Sequence, residues 1–285
     1  MIDPLTTNDD ALNRMYIFNK HIHEMGLQMA MAVGRNGCHV GGSFSCMEIF
    51  SVLYGGVLQY RVDDPRWDER DRFIPSKTHC ILANFPALVE AGFLPKDQLL
   101  SFFQDGGLLA GHPWNVDIGL EFPGGSLGMG LSVGIGIALE AKRKGKQYRT
   151  YVLLGDGECN EGSVWEGFMA APHFGLNSLT VIIDYNNMQF DGANDAIMSI
   201  APMAEKLSAF GWDAVEVNGH SIEQLYWAMM RRDEKKPLAI IAHTIKARGL
   251  PSLENTAESH HSAIKQEDYD FMMKNLQEGK YDRIQ

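Results

Sequence analysis

The chain has 285 residues, of which 45% are hydrophobic, and a formal net charge of −11 at pH 7. This length and composition fit one large α/β domain, or two small ones, with a real hydrophobic core. The acidic balance argues against a surface for nucleic acid or anionic membranes. An anionic ligand would therefore have to be met locally, by a metal and backbone amides.

The cysteines and the apolar runs indicate the compartment. The chain has four cysteines, Cys38, Cys46, Cys80 and Cys159, with no Cys-x-x-Cys pair and no zinc spacing. We expect buried, reduced thiols in a reducing compartment. The first residues lack the pattern of a secretory signal, and no apolar run approaches the ~20 residues of a membrane span. The expected protein is soluble and cytoplasmic.

The amino-terminal part of the chain is predicted to be mainly helical, with glycine-rich connections. Ser45 follows a glycine-rich loop and is suited to cap the next helix. The elements predicted here are a long amphipathic helix over Asp9–Val33, a loop over 34–45, a helix over 47–54, a short strand at 73–74, and a helix over 80–91 closed by Gly92.

Strands and helices alternate in the rest of the chain. A long glycine-rich stretch, 106–130, is a candidate functional loop, and a nearly all-apolar helix over 131–141 is expected to be buried. Strands are predicted over 150–154, 179–183, 213–217 and 238–243, separated by helices over 163–174, 201–210 and 221–232. This pattern predicts an α/β fold with a doubly wound, mostly parallel sheet flanked by helices. We expect residues 1–285 to form a single domain with an amino-terminal helical extension and a short carboxyl-terminal tail.

Asp156 and Asn186 carry the most informative pattern. Each follows a predicted buried strand, so both should lie at the same edge of the sheet, where open α/β sheets bind ligands. Their side-chain oxygens suit Mg²⁺ or Ca²⁺ that a ligand's phosphates also hold. Gly155 and Gly157 would let a diphosphate approach the backbone. The alternative is a capping Asp and a turn Asn.

The two motifs that contain these residues resemble those of thiamin-diphosphate enzymes. Gly-Asp-Gly-Glu-Cys-Asn-Glu-Gly-Ser-Val-Trp-Glu (155–166) and Ile-Asp-Tyr-Asn-Asn-Met-Gln-Phe-Asp-Gly (183–192) closely resemble the amino-terminal subunit of a split transketolase. The resemblance runs from about Asn13 to the end of the chain. It implies the thiamin-diphosphate-binding fold, with this chain as the diphosphate-binding domain.

The resemblance also implies a cofactor site. Mg²⁺, with Ca²⁺ or Mn²⁺ as substitutes, would be held by Asp156, Asn186 and the backbone carbonyl of Met188. A Gly-Gly-Ser-Leu-Gly loop resembles the family's loop against the aminopyrimidine, although Ser126 could equally cap a helix. The residues implied to bind thiamin diphosphate are His79, Gly124, Ser126, Leu127, Gly155, Asp156, Gly157, Glu158, Asn186 and Lys246.

The same resemblance assigns catalytic roles to four histidines. They are His39 in Cys-His-Val-Gly-Gly-Ser, His79 after Arg-Asp-Arg-Phe, His112 in Gly-His-Pro, and His260 in Ser-His-His-Ser. Loop histidines of this kind can transfer protons near neutral pH. The sequence departs from the family pattern at Val40, Thr78 and His261, so either His260 or His261 could face the site.

Two charged residues have competing interpretations. Glu161 matches a family glutamate at the subunit interface near the cofactor, and it equally suits a solvated acid at the start of a helix. Lys246 could reach the diphosphate, whereas a solvated lysine is the simpler interpretation.

The implied function is transfer of a two-carbon ketol unit from a ketose, phosphorylated or similarly anionic, to an aldose. A pyrimidine-domain partner subunit would complete the site in an α2β2 assembly, because this chain resembles only the first half of a full transketolase. The alternatives are the α subunit of a 2-oxo-acid dehydrogenase, a deoxyxylulose-phosphate synthase fragment, and a non-catalytic regulatory paralogue. The first two share the metal motif but lack the four histidines.

Overall fold

Within residues 9–109, 111 and 115–281, which this computed structural model describes, five strands form one parallel sheet. The strands are β1 (Arg72–Pro75), β2 (Thr150–Gly155), β3 (Leu179–Tyr185), β4 (Asp213–Asn218) and β5 (Leu238–His243). Their spatial order is β1-β2-β3-β5-β4, and every neighbouring pair is parallel. The predicted doubly wound, parallel sheet is confirmed.

Helices cover both faces of the sheet. The helices are α1 (Asp9–Val33), α2 (Gly41–Phe44), α3 (Met47–Val52), α4 (Ile81–Glu90), α5 (Gly130–Lys144), α6 (Gly162–His173), α7 (Asn194–Ile197), α8 (Met203–Phe210), α9 (Ile222–Met229) and α10 (Gln266–Gln277). Helices α1, α3, α4, α9 and α10 share one hydrophobic core with the first face, and α5, α6 and α8 share a second core with the other face.

Alternation along the central strands builds these two cores. Tyr151 and Leu153 of β2 belong to the first core, and Val152 and Leu154 belong to the second. All four side chains are fully buried. A strand buried on both faces is expected to be a continuous apolar run. For this reason the strands predicted over 150–154 and 179–183 agree closely with the bounds of β2 and β3.

The two ends of the described chain belong to the first core. Helix α1 has the predicted bounds and buries Ile22, Met25 and Met29. Helix α10 lies in the segment expected to be a short tail, and it buries Met272 and Leu276 in the same core.

Two local predictions were wrong. Helix α3 ends at Val52 and continues as a π-helical turn over Leu53–Val57. Ser45 does not cap α3: Cys46 occupies the cap position without a side-chain hydrogen bond, and Ser45 Oγ donates to Asp184 at 2.5 Å. A capping serine accepts a backbone N–H from an extended conformation, whereas Ser45 has a helical backbone conformation at the end of α2 and lies one residue before the cap position.

Helix α5 confirms the helix predicted over 131–141, but only one of its faces is fully buried. Leu131, Ile135 and Ala138 are buried against the sheet, whereas Ser132 and Gly136 are exposed. The buried stripe has the spacing of one helical face, and the small residues let the helix approach β2 closely.

Two expectations from composition also concern the fold. All four cysteines are buried and unpaired, as predicted. Among the described residues, none of the helices has the length and apolar character needed to cross a membrane.

The close approach of α5 to β2 makes a prediction about two glycines of this helix. A Cβ at Gly134 would lie 2.5 Å from Cγ2 of the buried Val152, whereas a Cβ at Gly136 meets nothing within 4 Å. We expect Gly136→Ala to raise the melting temperature, since alanine gains about 1 kcal/mol in a helix. Gly134→Ala should lower it, because overpacking a core costs about 1–3 kcal/mol. Equal shifts by calorimetry would show that α5 does not pack as described.

Candidate functional site

Residues that follow β1, β2, β3 and β5 surround a cavity of about 310 Å³ at the carboxyl edge of the sheet. The predicted site residues that line it are His79, Leu127, Gly155, Asp156, Gly157, Glu158, Glu161, Asn186, Met188, Lys246 and His260. The cavity is also lined by residues that the sequence did not single out, namely Gly42, Lys77, Asn160, Gln189 and Phe190.

Three other predicted residues do not line the cavity, and one cannot be placed. Gly124 and Ser126 lie on the adjoining loop, and His39 lies behind the lining histidines. His112 lies outside the described residues.

Asp156 and Asn186 occupy neighbouring strand ends, as their positions after β2 and β3 predict. Asp156 is 2% exposed. Its carboxylate accepts the N–H of Gly157 at 2.8 Å and the N–H of Asn187, which has a left-handed φ of 59°. Asn186 Oδ1 accepts the N–H of Met188 at 3.0 Å. Burial, followed by the nearby Asp184 carboxylate, raises the pKa of Asp156 to about 6.

The donors at these strand ends fit a hard divalent cation. One carboxylate, one amide oxygen and a backbone carbonyl are the ligand types that Mg²⁺ prefers, and the ligand's own oxygens can supply the rest. Within the described part of the chain, no group of three His, Cys, Asp or Glu could hold a metal. Two further observations fit a bound cation at this position. The carboxylate of Asp156 is buried, and Asn187 Oδ1 is buried without a hydrogen-bond partner in the described residues.

A buried ion pair lies beneath the cavity. Lys77 is 1% exposed, and its Nζ contacts the Asp184 carboxylate and donates to the carbonyl of Gly42 at 2.7 Å. Asp184 also accepts hydrogen bonds from Ser45 and Thr244. Although burial disfavours its charge, the Asp184 carboxylate raises the pKa of Lys77 above its ordinary value.

Glu158 lines the cavity, but its own chain occupies both of its carboxylate oxygens. They accept the N–H of Gly128 at 2.9 Å, the N–H of Gly155 at 3.0 Å, and the hydroxyl of Ser76. Burial raises the pKa of Glu158. This side chain therefore ties the glycine-rich loop to the ends of β1 and β2, and its role in cofactor binding stays a prediction.

Glycine is required where the 124–130 loop meets the end of β1. Gly124 has a φ of 32°, and a Cβ there would lie 1.7 Å from Cγ2 of Thr78. Ser126 does not cap α5, because Met129 holds that position without a side-chain hydrogen bond. The loop is held instead by side chains of other segments: Glu158 and Ser76 accept the N–H groups of Gly128 and Gly130, and Ser163 donates to the carbonyl of Gly128.

Lys246 is buried, so the interpretation of a solvated lysine is wrong. It is 2% exposed, and its Nζ donates to the carbonyl of Gln189 at 2.7 Å. Burial, and then the nearby charge of Lys77, lowers its pKa to about 8. Two lysines beside one cavity in an acidic chain give a local electrostatic fit to an anionic group such as a diphosphate.

A buried polar chain holds the backbone next to Lys246. His220 Nε2 accepts the N–H of Ile245 at 2.8 Å, so its Nδ1–H donates to Glu48 at 3.1 Å. Glu48 is 2% exposed. Although burial disfavours its charge, His220 holds the pKa of Glu48 below its ordinary value. No pattern in the sequence indicates this contact, which joins residues far apart along the chain.

Three of the four predicted histidines form one cluster. The ring centroids of His39, His79 and His260 lie 5.3–5.5 Å apart. Burial, followed by the charge of Lys77, lowers the pKa of His79 well below its ordinary value. Burial and Lys246 lower the pKa of His260 to about 4. These two imidazoles are therefore neutral at pH 7, and each can both donate and accept a hydrogen bond.

His260, not His261, lines the cavity. His260 is half-buried against Phe190, whose ring centroid lies 4.9 Å away, whereas His261 is exposed. Glu161 is exposed at the rim of the cavity, where a second chain could reach it.

Comparison of the structure with solved proteins gives the fold class. A transketolase from Leishmania mexicana matches with a TM-score of 0.84 and 28% identity over 92% of this chain. A transketolase from Campylobacter jejuni matches with a TM-score of 0.84 and 25% identity. The molecule therefore has the thiamin-diphosphate-binding fold. This chain spans 41% of the length of the Leishmania enzyme.

The sequence comparisons give the family. The family model described as "Transketolase, thiamine diphosphate binding domain" matches residues 22–280, so the chain belongs to the transketolase family. It is 38% identical to one of the subunits of an apulose-4-phosphate transketolase from Phocaeicola vulgatus, over 84% of this chain and 86% of that one. It is 34% identical to a 6-deoxy-6-sulfo-D-fructose transketolase subunit of Clostridium sp., over 82% and 87% of the two chains.

The buried ion pair beneath the cavity generates a prediction. Asp184→Asn leaves Lys77 buried without its counter-charge, and breaking such a pair costs about 3–5 kcal/mol. Lys77→Met combined with Asp184→Asn removes both charges and should cost less than Asp184→Asn alone. Urea unfolding of the single and double variants measures the coupling. Simple additivity of the two single losses would show that the charges do not depend on each other.

Proposed function

We propose that this chain is the thiamin-diphosphate-binding subunit of a two-chain transketolase. The observation that carries the proposal is the meeting of two features at one sheet edge. Asp156 and Asn186 supply hard oxygens at the floor of the cavity, and three clustered imidazoles lie beside them. Ketol transfer needs a site that anchors the diphosphate through a cation and, next to it, imidazoles that transfer protons.

Asp156, Asn186 and the carbonyl of Met188 would hold Mg²⁺, with Ca²⁺ or Mn²⁺ as substitutes. Lys246 and Lys77 would balance the charge of the diphosphate, and Gly155 and Gly157 leave room beside the backbone. When bound, thiamin diphosphate supplies the electron sink for breaking and forming a carbon–carbon bond next to a carbonyl. Leu127 and the Gly124–Ser126 stretch would lie against its aminopyrimidine.

The histidine cluster would bind the ketose and move protons. Neutral His260 and His79 can each accept a proton at one ring nitrogen while donating from the other. His39 contacts both of these rings, and the three ring centroids form a triangle with sides of 5.3–5.5 Å. The predicted role of His112 at the terminal hydroxyl stays a prediction.

A partner subunit would carry the pyrimidine domain, in an α2β2 assembly. Two relatives of similar length are named as transketolase subunits, which supports a separate second chain. The exposed Glu161 at the cavity rim is the residue of this chain that we assign to the interface. The buried free thiols support a cytoplasmic, reducing location.

The substrate class would be an anionic ketose that gives its two-carbon unit to an aldose. The names of the two relatives specify a phosphate and a sulfonate, both anionic ends on a sugar chain. The histidine cluster disfavours the 2-oxo-acid dehydrogenase and synthase alternatives. A non-catalytic regulatory role would not require the proposed cation ligands beside the histidine cluster, so this alternative is disfavoured as well.

Cofactor binding should depend on Asp156. In the complex reconstituted with the partner, Asp156→Ala should abolish Mg²⁺-dependent binding of thiamin diphosphate, because it removes the only carboxylate among the proposed ligands. Asp195→Ala is the matched control, since this aspartate is exposed and accepts a hydrogen bond from the nearby Ser199. Titration calorimetry measures both. Wild-type affinity in Asp156→Ala would refute the assignment.

Replacing His260 should reduce turnover much more than it reduces the affinity for the cofactor. General acid–base catalysis is worth about 10²–10⁴ in rate, so His260→Ala should lower kcat by that order while the cofactor Kd changes little. Steady-state kinetics with saturating cofactor, together with calorimetry, separates the two effects. A loss confined to cofactor affinity would give His260 a binding role instead.

A further inference from the structure

His220 lies in the short connection between β4 and α9, against the end of β5. Gly219 donates its N–H to the carbonyl of His243 at 2.8 Å, and a Cβ at Gly219 would lie 2.4 Å from Cγ2 of Thr244. The N–H of His220 itself donates to Oδ1 of Asn218 at 2.9 Å. Because only glycine allows this close approach, the sequence places the imidazole of His220 beside the segment that follows β5.

Both ring nitrogens of His220 have partners, and these partners fix the orientation of the ring. Nε2 accepts the N–H of Ile245 at 2.8 Å, and Nδ1 donates to Oε2 of Glu48 at 3.1 Å. The side chains of His220 and Glu48 are 5% and 3% exposed. Leaving a backbone N–H without an acceptor here is unfavourable, so the ring cannot turn without a cost at Ile245. Glu48 on α3 therefore orients the ring, and the ring holds the peptide of Ile245.

The peptide of Ile245 leads directly into Lys246. On the other side of Lys246, Ala247 has a left-handed φ of 57° and donates its N–H to the carbonyl of Gly41 at 3.1 Å. Between these two anchors the Lys246 side chain is buried, and its Nζ donates to the carbonyl of Gln189 at 2.7 Å on the cavity wall. The direction of Lys246 thus depends on one backbone hydrogen bond before it and one after it.

We propose that His220, oriented by Glu48, is a positioning residue that holds Lys246 on the cavity wall and thereby strengthens binding of the cofactor's diphosphate. This inference rests on the proposed function. Neither His220 nor Glu48 lines the cavity, so both act through the backbone of the lysine and take no part in proton transfer. The position of Lys246 matters because the attraction between an ammonium group and a diphosphate falls with distance, and the protein is acidic elsewhere.

The first test measures the exposure of Lys246 in the full chain without cofactor. Competitive acetylation of lysines by acetic anhydride, read by mass spectrometry, compares the wild type with His220→Phe, which keeps an aromatic ring but removes both nitrogens. We expect the acetylation rate of Lys246 to rise several-fold, because its backbone anchor is lost. Lys77 is the internal control, since it lines the same cavity but is held by Asp184. The rate of Lys77 should not change.

The second test measures cofactor affinity in the complex reconstituted with the partner. By titration calorimetry with thiamin diphosphate and Mg²⁺, His220→Phe should raise Kd about tenfold, which corresponds to about 1.4 kcal/mol of binding. His220→Gln keeps an acceptor for the N–H of Ile245 and should restore most of the affinity. His243→Phe is the matched control, because this exposed histidine at the end of β5 also contacts a carboxylate, that of Glu216, but does not line the cavity. It should keep the wild-type Kd.

His220→Phe leaves the carboxylate of Glu48 buried without this partner. If the variant does not fold, both measurements use Glu48→Met combined with His220→Phe, which removes the buried charge as well. An unchanged rate for Lys246 would overturn the inference, and so would an equal rise for Lys246 and Lys77, which would mean general loosening. A wild-type Kd would also overturn it. Failure of the wild-type complex to bind thiamin diphosphate would instead count against the proposed function, and the acetylation rates would still show whether His220 holds Lys246.

Discussion

The pair of Lys77 and Asp184 is the interaction on which the rest of the site depends. It joins the loop after β1 to β3, and through Ser45, Thr244 and the carbonyl of Gly42 it also holds α2 and the end of β5. Two buried charges are stable only when their hydrogen bonds are satisfied, and here each has further partners. The loops that line the cavity therefore meet at one charged centre.

Charge at this edge is arranged in favour of a particular ligand. The buried carboxylate of Asp156 accepts backbone N–H groups, and the buried amino group of Lys246 donates to a backbone carbonyl. Each shifts toward its neutral form, with the pKa of Asp156 raised and that of Lys246 lowered. A divalent cation with a diphosphate would reverse both shifts at once, since it brings positive charge to one and negative charge to the other. An acidic protein can in this way hold an anionic cofactor.

The parts of the fold and site that depend on local pattern could be predicted from the sequence. Strands β2 and β3 are apolar runs bounded by polar residues, so the sequence was enough to predict that Asp156 and Asn186 follow the ends of two strands. Lys77 could not be predicted, because its partner Asp184 is 107 residues away along the chain. The burial of Lys246 could not be predicted either, since the loops around a lysine decide whether it is solvated. The choice between His260 and His261 needed the structure, in which Cys38 and Ser262 form a backbone bridge.

The central claim is that this chain supplies the cofactor site and a second chain completes it. The most direct measurement is a titration of the purified chain with its pyrimidine-domain partner, in the presence of thiamin diphosphate, Mg²⁺ and a ketose–aldose pair. We expect no ketol transfer by either protein alone, and activity that rises with the partner until the two are equimolar. Robust transfer by this chain alone, or full activity of the partner without it, would contradict the claim.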